Sequence, residues 1–235
     1  MPEGLAWGDT GFADEFARAT WLVVQLALAA LAMGLVLGLL GAWGKLSRNT
    51  LARRLADLYT TCIRGTPELL VIWITYFGVS MLAQKVYGWL WGEEVYIEIN
   101  AFLSGTIALG LVFGAFATEV FRGSFMAVPR GQIEAARVLG LRRWQVLWLI
   151  LTPQVLRHAL PGLGNLWLVL LKDTSLVSVV ALEEIMRTAR VGGEVFHRPF
   201  NFYLAAAAIY LALTSLSMVG LVRVEGWANR GTRRA

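Results

Sequence analysis

The sequence predicts an all-α fold, a polytopic transmembrane helical bundle of five spans. Three observations predict it: an apolar composition, long charge-free runs, and basic residues gathered in alternate connections. Hydrophobic residues make up 57% of the 235 positions, 24 more are Gly, and only 16% are charged. Soluble domains are about 45–50% apolar with Gly counted, and about 25% charged. Mean hydropathy is +0.60, which with 10 Trp fits neither a disordered chain nor a water-facing enzyme. A lone cysteine, Cys62, excludes an intramolecular disulfide framework and reads as a small buried hydrophobe. Net charge is +5 with a pI near 9.7. That charge lies between apolar runs and not among interleaved surface aromatics, which points to membrane topology and away from nucleic acid.

A spanning helix needs about 20 mostly apolar residues, because the hydrocarbon core is about 30 Å thick and the rise is about 1.5 Å per residue. The first span is 19–44. The second run, 69–84, is short and reaches spanning length when extended back through Glu68 and Pro67. The third and fifth, 99–118 and 199–222, carry no charge. The fourth, 158–182, is interrupted by Lys172 and Asp173. The expected organisation is an extracytoplasmic segment 1–18, a membrane domain 19–222, and a cytoplasmic basic tail 223–235.

Orientation follows from the 21 Lys and Arg residues. Arg18, Lys85, Arg187, Arg190 and Arg198 fall on one side, Lys172 lies within a span, and the other fifteen fall on the opposite side. The positive-inside rule places the fifteen in the cytoplasm, with the N-terminus outside and the C-terminus inside. A signal peptide needs a basic n-region, whereas residues 1–18 carry Glu3, Asp9, Asp14 and Glu15 against Arg18. The first apolar run is therefore expected to be a retained span.

Gly34 with Gly38, and Gly110 with Gly114, have the GxxxG spacing that lets helix backbones approach closely in lipid. The motif points first to ordinary packing within the chain, with a subunit interface as the lesser alternative. Trp89, Trp91 and Trp227 fall near span ends as interfacial anchors. His158 and His197 lie on opposite sides, so they cannot share a metal, and no metal site is expected. No Ser/His/acid set can be assembled from the spacing, and no catalytic residue is expected.

The connection 119–161 holds a helix that is too short to span. Pro129 suits a helix start and Gly140 a C′ position. Between them Ile133, Ala136 and Gly140, and likewise Ala135, Val138 and Leu139, recur at three- and four-residue spacing. About ten residues cover only about 15 Å, so this helix lies at the cytoplasmic surface, where it caps the bundle or docks a partner.

The run Glu134-Ala135-Ala136-Arg137-Val138-Leu139-Gly140, then nine residues, then Ile150-Leu151-Thr152-Pro153, resembles the EAA signature of permease subunits of bacterial ABC importers. Thr152 stands where Leu is usual, with the spacing intact. Arg64-Gly65-Thr66-Pro67-Glu68, Pro153 to Pro161, and Lys172-Asp173-Thr174-Ser175-Leu176 resemble the polar amino-acid branch, which holds histidine, arginine, glutamine and opine permeases. The resemblance extends over about residues 20–222.

The resemblance implies that 124–153 is a coupling-helix segment seated on a separate ATPase subunit. Glu134 and Gly140 would anchor and turn it, and Ala135 and Ala136 would allow close approach. No phosphate-binding loop occurs in the chain, so it is not expected to be an enzyme or to bind a cofactor. ATP and Mg would belong to two copies of the ATPase. Other implied partners are a second permease, related or identical, and a periplasmic or lipid-anchored substrate-binding protein. The implied substrate is an amino acid, the implied location the bacterial inner membrane.

Charged groups inside spans cost a few kcal/mol unless they are paired or face a cavity. Glu68 opens the second span, and Lys172 and Asp173 interrupt the fourth. Pro67 and Pro161 are expected to mark the turns at which the chain enters its spans, and Thr174 and Ser175 to satisfy loosened carbonyls. Either Lys172 pairs with Asp173 or Glu68, or several of these five groups line the substrate path. An acidic residue at Glu68 resembles permeases for cationic amino acids and basic opines, since a carboxylate facing a cavity favours a guanidinium or ammonium. The alternative is that Glu68 pairs with Arg64 one turn earlier. A glutamine or glutamate permease is the runner-up; a stand-alone channel or secondary transporter, and a membrane enzyme, have no use for an ATPase-docking helix.

Overall fold

The computed structural model describes residues 6–8, 11–92, 100–180 and 182–228. Glu3 and Asp9, the start of the third run at Ile99, and Arg230, Arg233 and Arg234 of the tail lie outside the described residues. Every regular element among those described is helical.

Among the described residues five helices are long and apolar enough to cross a membrane: α1 (Ala13–Leu46), α3 (Glu68–Trp91), α4 (Ala101–Ala127), the compound helix Arg143–Val180, and α9 (Pro199–Ala228). The compound helix comprises α6 (Arg143–Gln145), a π-helical stretch Val146–Leu151, α7 (Thr152–Asp173) and a 3₁₀ stretch Thr174–Val180. Three shorter helices join them: α2 (Thr50–Gly65), α5 (Arg130–Val138) and α8 (Ile185–Val195).

The bundle is built around α4. In its most apolar stretch 61% of residues are buried, against 6% in α9. Both glycine pairs are spent on the α1–α4 contact within the chain. A Cβ at Gly34 would lie 2.6 Å from Phe113 Cδ1, and one at Gly38 would lie 2.7 Å from Ala117 Cβ. Without a hydrophobic drive in lipid, the gain comes from many dispersion contacts of about 0.1–0.2 kcal/mol each. Several hydroxyls in these helices donate to the carbonyl one turn back, as Thr118 does to Gly114 at 2.8 Å and Ser124 to Val120 at 2.7 Å, which satisfies them without water.

A second cluster closes the end of the bundle opposite α5. Phe16, Ile185, Ala189, Phe202 and Ala206 are buried there. Phe12 meets Phe202 edge-on at 5.7 Å, and Phe196 stacks on Phe202 at 5.7 Å. These rings seat α8 across the ends of α1 and α9.

Four expectations are corrected. Residues 50–65 form a helix to which the sequence reading assigned no element; Asn49 caps it, its Oδ1 accepting from the N–H groups of Leu51 and Ala52. The helix is amphipathic: Ala56 and Thr60 are buried, while Leu51, Leu55 and Leu58 are exposed. Cys62 lies on its exposed side and is not a buried hydrophobe. The connection 119–161 is shorter than expected, because α4 runs on to Ala127 and helix resumes at Arg143. Pro161 lies inside α7 and marks no turn; a span tolerates Pro where neighbouring groups take up the freed carbonyl. Pro67, by contrast, is the N-cap of α3, with non-helical ψ of 134°.

Candidate functional site

The break before α3 and the change from α7 to 3₁₀ helix bring two distant acids together. Pro67 stops α2 from continuing into α3 and leaves Glu68 as the first residue of α3. Asp173 is the last residue of α7. Both line one cavity of about 140 Å³, whose other walls are apolar, with Leu109, Val112, Phe113 and Phe116 from α4. The two acids thus share one cavity from opposite helices. At about 1.5 Å per residue, the stretch of α4 against the cavity begins about 12 Å from Ala101 and ends about 17 Å from Ala127. The cavity therefore sits near the middle of the bundle.

Among the described residues no basic side chain lines this cavity. Lys172 is exposed and makes no ion pair with Glu68 or Asp173. Arg64 does not pair with Glu68 either. Its guanidinium lies 5.2 Å from the centre of the Phe116 ring and 4.0 Å from Glu119. Glu119 is held chiefly by Lys45 at 2.6 Å and Arg122 at 2.8 Å, and Lys45 also reaches Asp57 at 3.0 Å. That cluster ties α1, α2 and α4 together.

Thr174 and Ser175 do not line the cavity. The Thr174 hydroxyl donates to the Leu171 carbonyl at 2.7 Å, and the Ser175 hydroxyl to the Lys172 carbonyl at 2.7 Å. They satisfy the carbonyls at the end of α7. Of the five polar groups singled out, the structure brings only Glu68 and Asp173 to one cavity.

The structure adds a buried carboxyl that sequence reasoning missed. Glu184 is fully buried and caps α8, accepting from Met186 N at 2.9 Å and Arg187 N at 2.8 Å. The Tyr210 hydroxyl of α9 donates to the same carboxyl at 3.0 Å and lies 3.4 Å from the Thr174 hydroxyl. Burial pushes the Glu184 carboxyl above its ordinary pKa, with the three donors pulling the other way. Glu is not a favoured N-cap type, and the partner that makes it legible comes from α9, so no local signal marked it.

At the other end of the molecule, α5 stands on the connection between α4 and α7. Gly140 has φ +80°, a left-handed conformation suited to Gly. Its N–H donates to Arg137 and that of Leu141 to Ala136, a Schellman closure of the helix. Glu134 and Ala135 are exposed, but Ala136 is only 3% exposed, so the close approach it permits is to this chain. Val138 and Leu139 are 88% and 81% exposed, beside exposed Trp144. A hydrogen bond of 2.6 Å from Gln154 to Gln132 ties α5 to α7.

Comparison with known proteins agrees with this architecture. A family model described as "Binding-protein-dependent transport system inner membrane component" matches residues 34–225. The nopaline transport system permease protein NocQ of Agrobacterium fabrum is 48% identical, over 97% of each chain. The histidine/lysine/arginine/ornithine transport system permease protein HisQ of Escherichia coli is 37% identical, over 96% of this chain and 98% of its own. A solved amino acid ABC transporter with histidines superposes with a TM-score of 0.78 at 30% identity, covering 91% of this chain and 94% of its own. The MetNI methionine ABC transporter, at 15% identity and TM-score 0.71, shares the fold. The chain belongs to the family of binding-protein-dependent transport system inner membrane components, the permease subunits of ABC importers.

Proposed function

We propose that this permease imports basic amino acids or opines, received from a binding protein outside and driven by two ATPase subunits inside. The observation that carries the substrate class is the paired acids Glu68 and Asp173 in an otherwise apolar cavity at mid-bundle. Two carboxyls that share one apolar cavity repel when both are ionised, and an arriving guanidinium or ammonium relieves that repulsion. At about 4 Å and an effective dielectric of about 20, one such attraction is worth about 4 kcal/mol before desolvation is counted. The names of relatives, which include nopaline, octopine, arginine and histidine/lysine/arginine/ornithine systems, support the same class. Reconstitution with the ATPase and the binding protein, followed by uptake of labelled arginine and labelled glutamine, tests it. Preferential glutamine uptake would contradict it.

The same reading assigns α5 to the ATPase. Glu134, Ala135, Val138 and Leu139 form its free surface, and Gly140 closes the helix so that the chain can turn back into the membrane. A second permease, identical or related, completes the pathway. Orientation rests on the basic-residue count, with α5 cytoplasmic and α8 outside. In a Cys62→Ser background, an impermeant thiol reagent applied to intact cells should label Asp9→Cys and spare Arg137→Cys. The opposite pattern would invert the topology.

A further inference from the structure

The end of the bundle opposite α5 holds a second charged cavity, of about 250 Å³, between the start of α1 and α8. Its lining includes Glu15 and Arg18 from α1, Arg187 and Thr188 from α8, and Glu183 just before the cap of α8. Both signs of charge are present twice, yet none of the four charged groups forms an ion pair among the described residues. Glu15 Oε2 is buried without a hydrogen-bond partner. A buried carboxyl oxygen left without a donor is costly, so the site is better satisfied with a donor delivered from outside the chain.

We propose that this cavity is an outer subsite for a free amino acid, occupied before it reaches the cavity of Glu68 and Asp173. The ligand is a zwitterion. Glu15 and Glu183 receive its ammonium or cationic side chain, and Arg187 and Arg18 its carboxylate. A simple cation would leave both arginines unused, and a simple anion both glutamates. The floor of the subsite is α8, whose cap Glu184 is bonded to Tyr210, and Tyr210 adjoins Thr174, next in sequence to Asp173. Occupancy outside is thus linked by one chain of contacts to the end of α7 that bears the inner acid.

The proposal rests on the import reading for its ligand, and the two are separable by experiment. Equilibrium dialysis is run on the intact, nucleotide-free complex with its ATPase subunits, without binding protein, using labelled arginine and labelled glutamine. The complex carrying Glu68→Gln and Asp173→Asn should keep a saturable arginine site. Adding Glu15→Gln, or Arg187→Gln in a separate variant, should weaken that site at least fivefold. Agmatine, which lacks the carboxylate, should compete poorly for it. Retention of the ATPase on gel filtration shows that each variant is folded. Absence of saturable binding of either amino acid in the double variant would overturn the outer subsite, as would binding indifferent to both Glu15→Gln and Arg187→Gln. Uptake by the unaltered complex reports the substrate class separately.

Discussion

The Tyr210 hydroxyl donates to the Glu184 carboxyl at 3.0 Å and so bolts α9 to the cap of α8. Leaving a buried acceptor without its donor costs about 1–3 kcal/mol. Tyr210→Phe is therefore expected to destabilise the permease by about that much and lower the unfolding temperature of the purified complex. The arginine-to-glutamine uptake ratio should be unchanged, because Tyr210 does not line the inner cavity. An unaltered unfolding temperature would show that the bond carries no net stability.

Glu184 also makes stability depend on pH. Its pKa is raised by burial, so between the ordinary carboxylate range and that raised value the folded state holds more protons than the unfolded one. Its contribution is fully present below the unfolded pKa and is lost as pH rises through the folded pKa. Glu184→Gln should flatten this fall in a series of melting curves taken over that window. A slope equal to that of the unaltered protein would assign the pH dependence to another group.

Close packing of α1 on α4 leaves no room at Gly38, where an added Cβ would meet Ala117 at 2.7 Å. Overpacking of this kind costs about 1–3 kcal/mol, sometimes more. Gly38→Leu should sharply reduce the amount of permease recovered from membranes. Gly123→Ala on the exposed side of α4, where a Cβ meets nothing within 4 Å, should leave it unchanged. Equal recovery of both variants would refute the packing account.

The spans were legible because lipid demands about 20 apolar residues in a row, a demand that leaves its mark in local sequence. The turn at Gly140 was legible for a similar reason, since only a residue tolerant of positive φ ends a helix that way. Helix α2 escaped notice because it is amphipathic and basic, so hydropathy merges it with the connection around it. Pro161 misled because a membrane helix can carry Pro through its interior. In the candidate site, Glu68 and Asp173 stood out as acids in apolar surroundings. Lys172, Thr174 and Ser175 look equivalent by sequence, but Lys172 is exposed on α7, and Thr174 and Ser175 bond back to its last carbonyls. Glu184 and Glu15 depend on partners from other helices, or on the lack of one, which no local pattern records.

At the other end of the bundle, Gly140 at φ +80° closes α5. Gly140→Ala incurs about 1–2 kcal/mol in this region, and Gly140→Pro both fixes φ near −65° and removes the N–H donated to Arg137. Co-purification of the ATPase should fall modestly in the first and severalfold in the second, with the spans still folded. Normal ATPase recovery and normal transport in Gly140→Pro would sink the assignment of α5 to docking.

If the Glu68–Asp173 cavity selects cations, Glu68→Gln should erase part of that selection. The substitution keeps size and hydrogen bonding and removes charge. Uptake of arginine and of glutamine is compared in proteoliposomes holding equal amounts of each complex. A loss of about 1–2 kcal/mol corresponds to a factor of roughly 5–30, so the arginine-to-glutamine ratio should fall by about that factor. An unchanged ratio, whatever happened to expression or stability, would contradict the account.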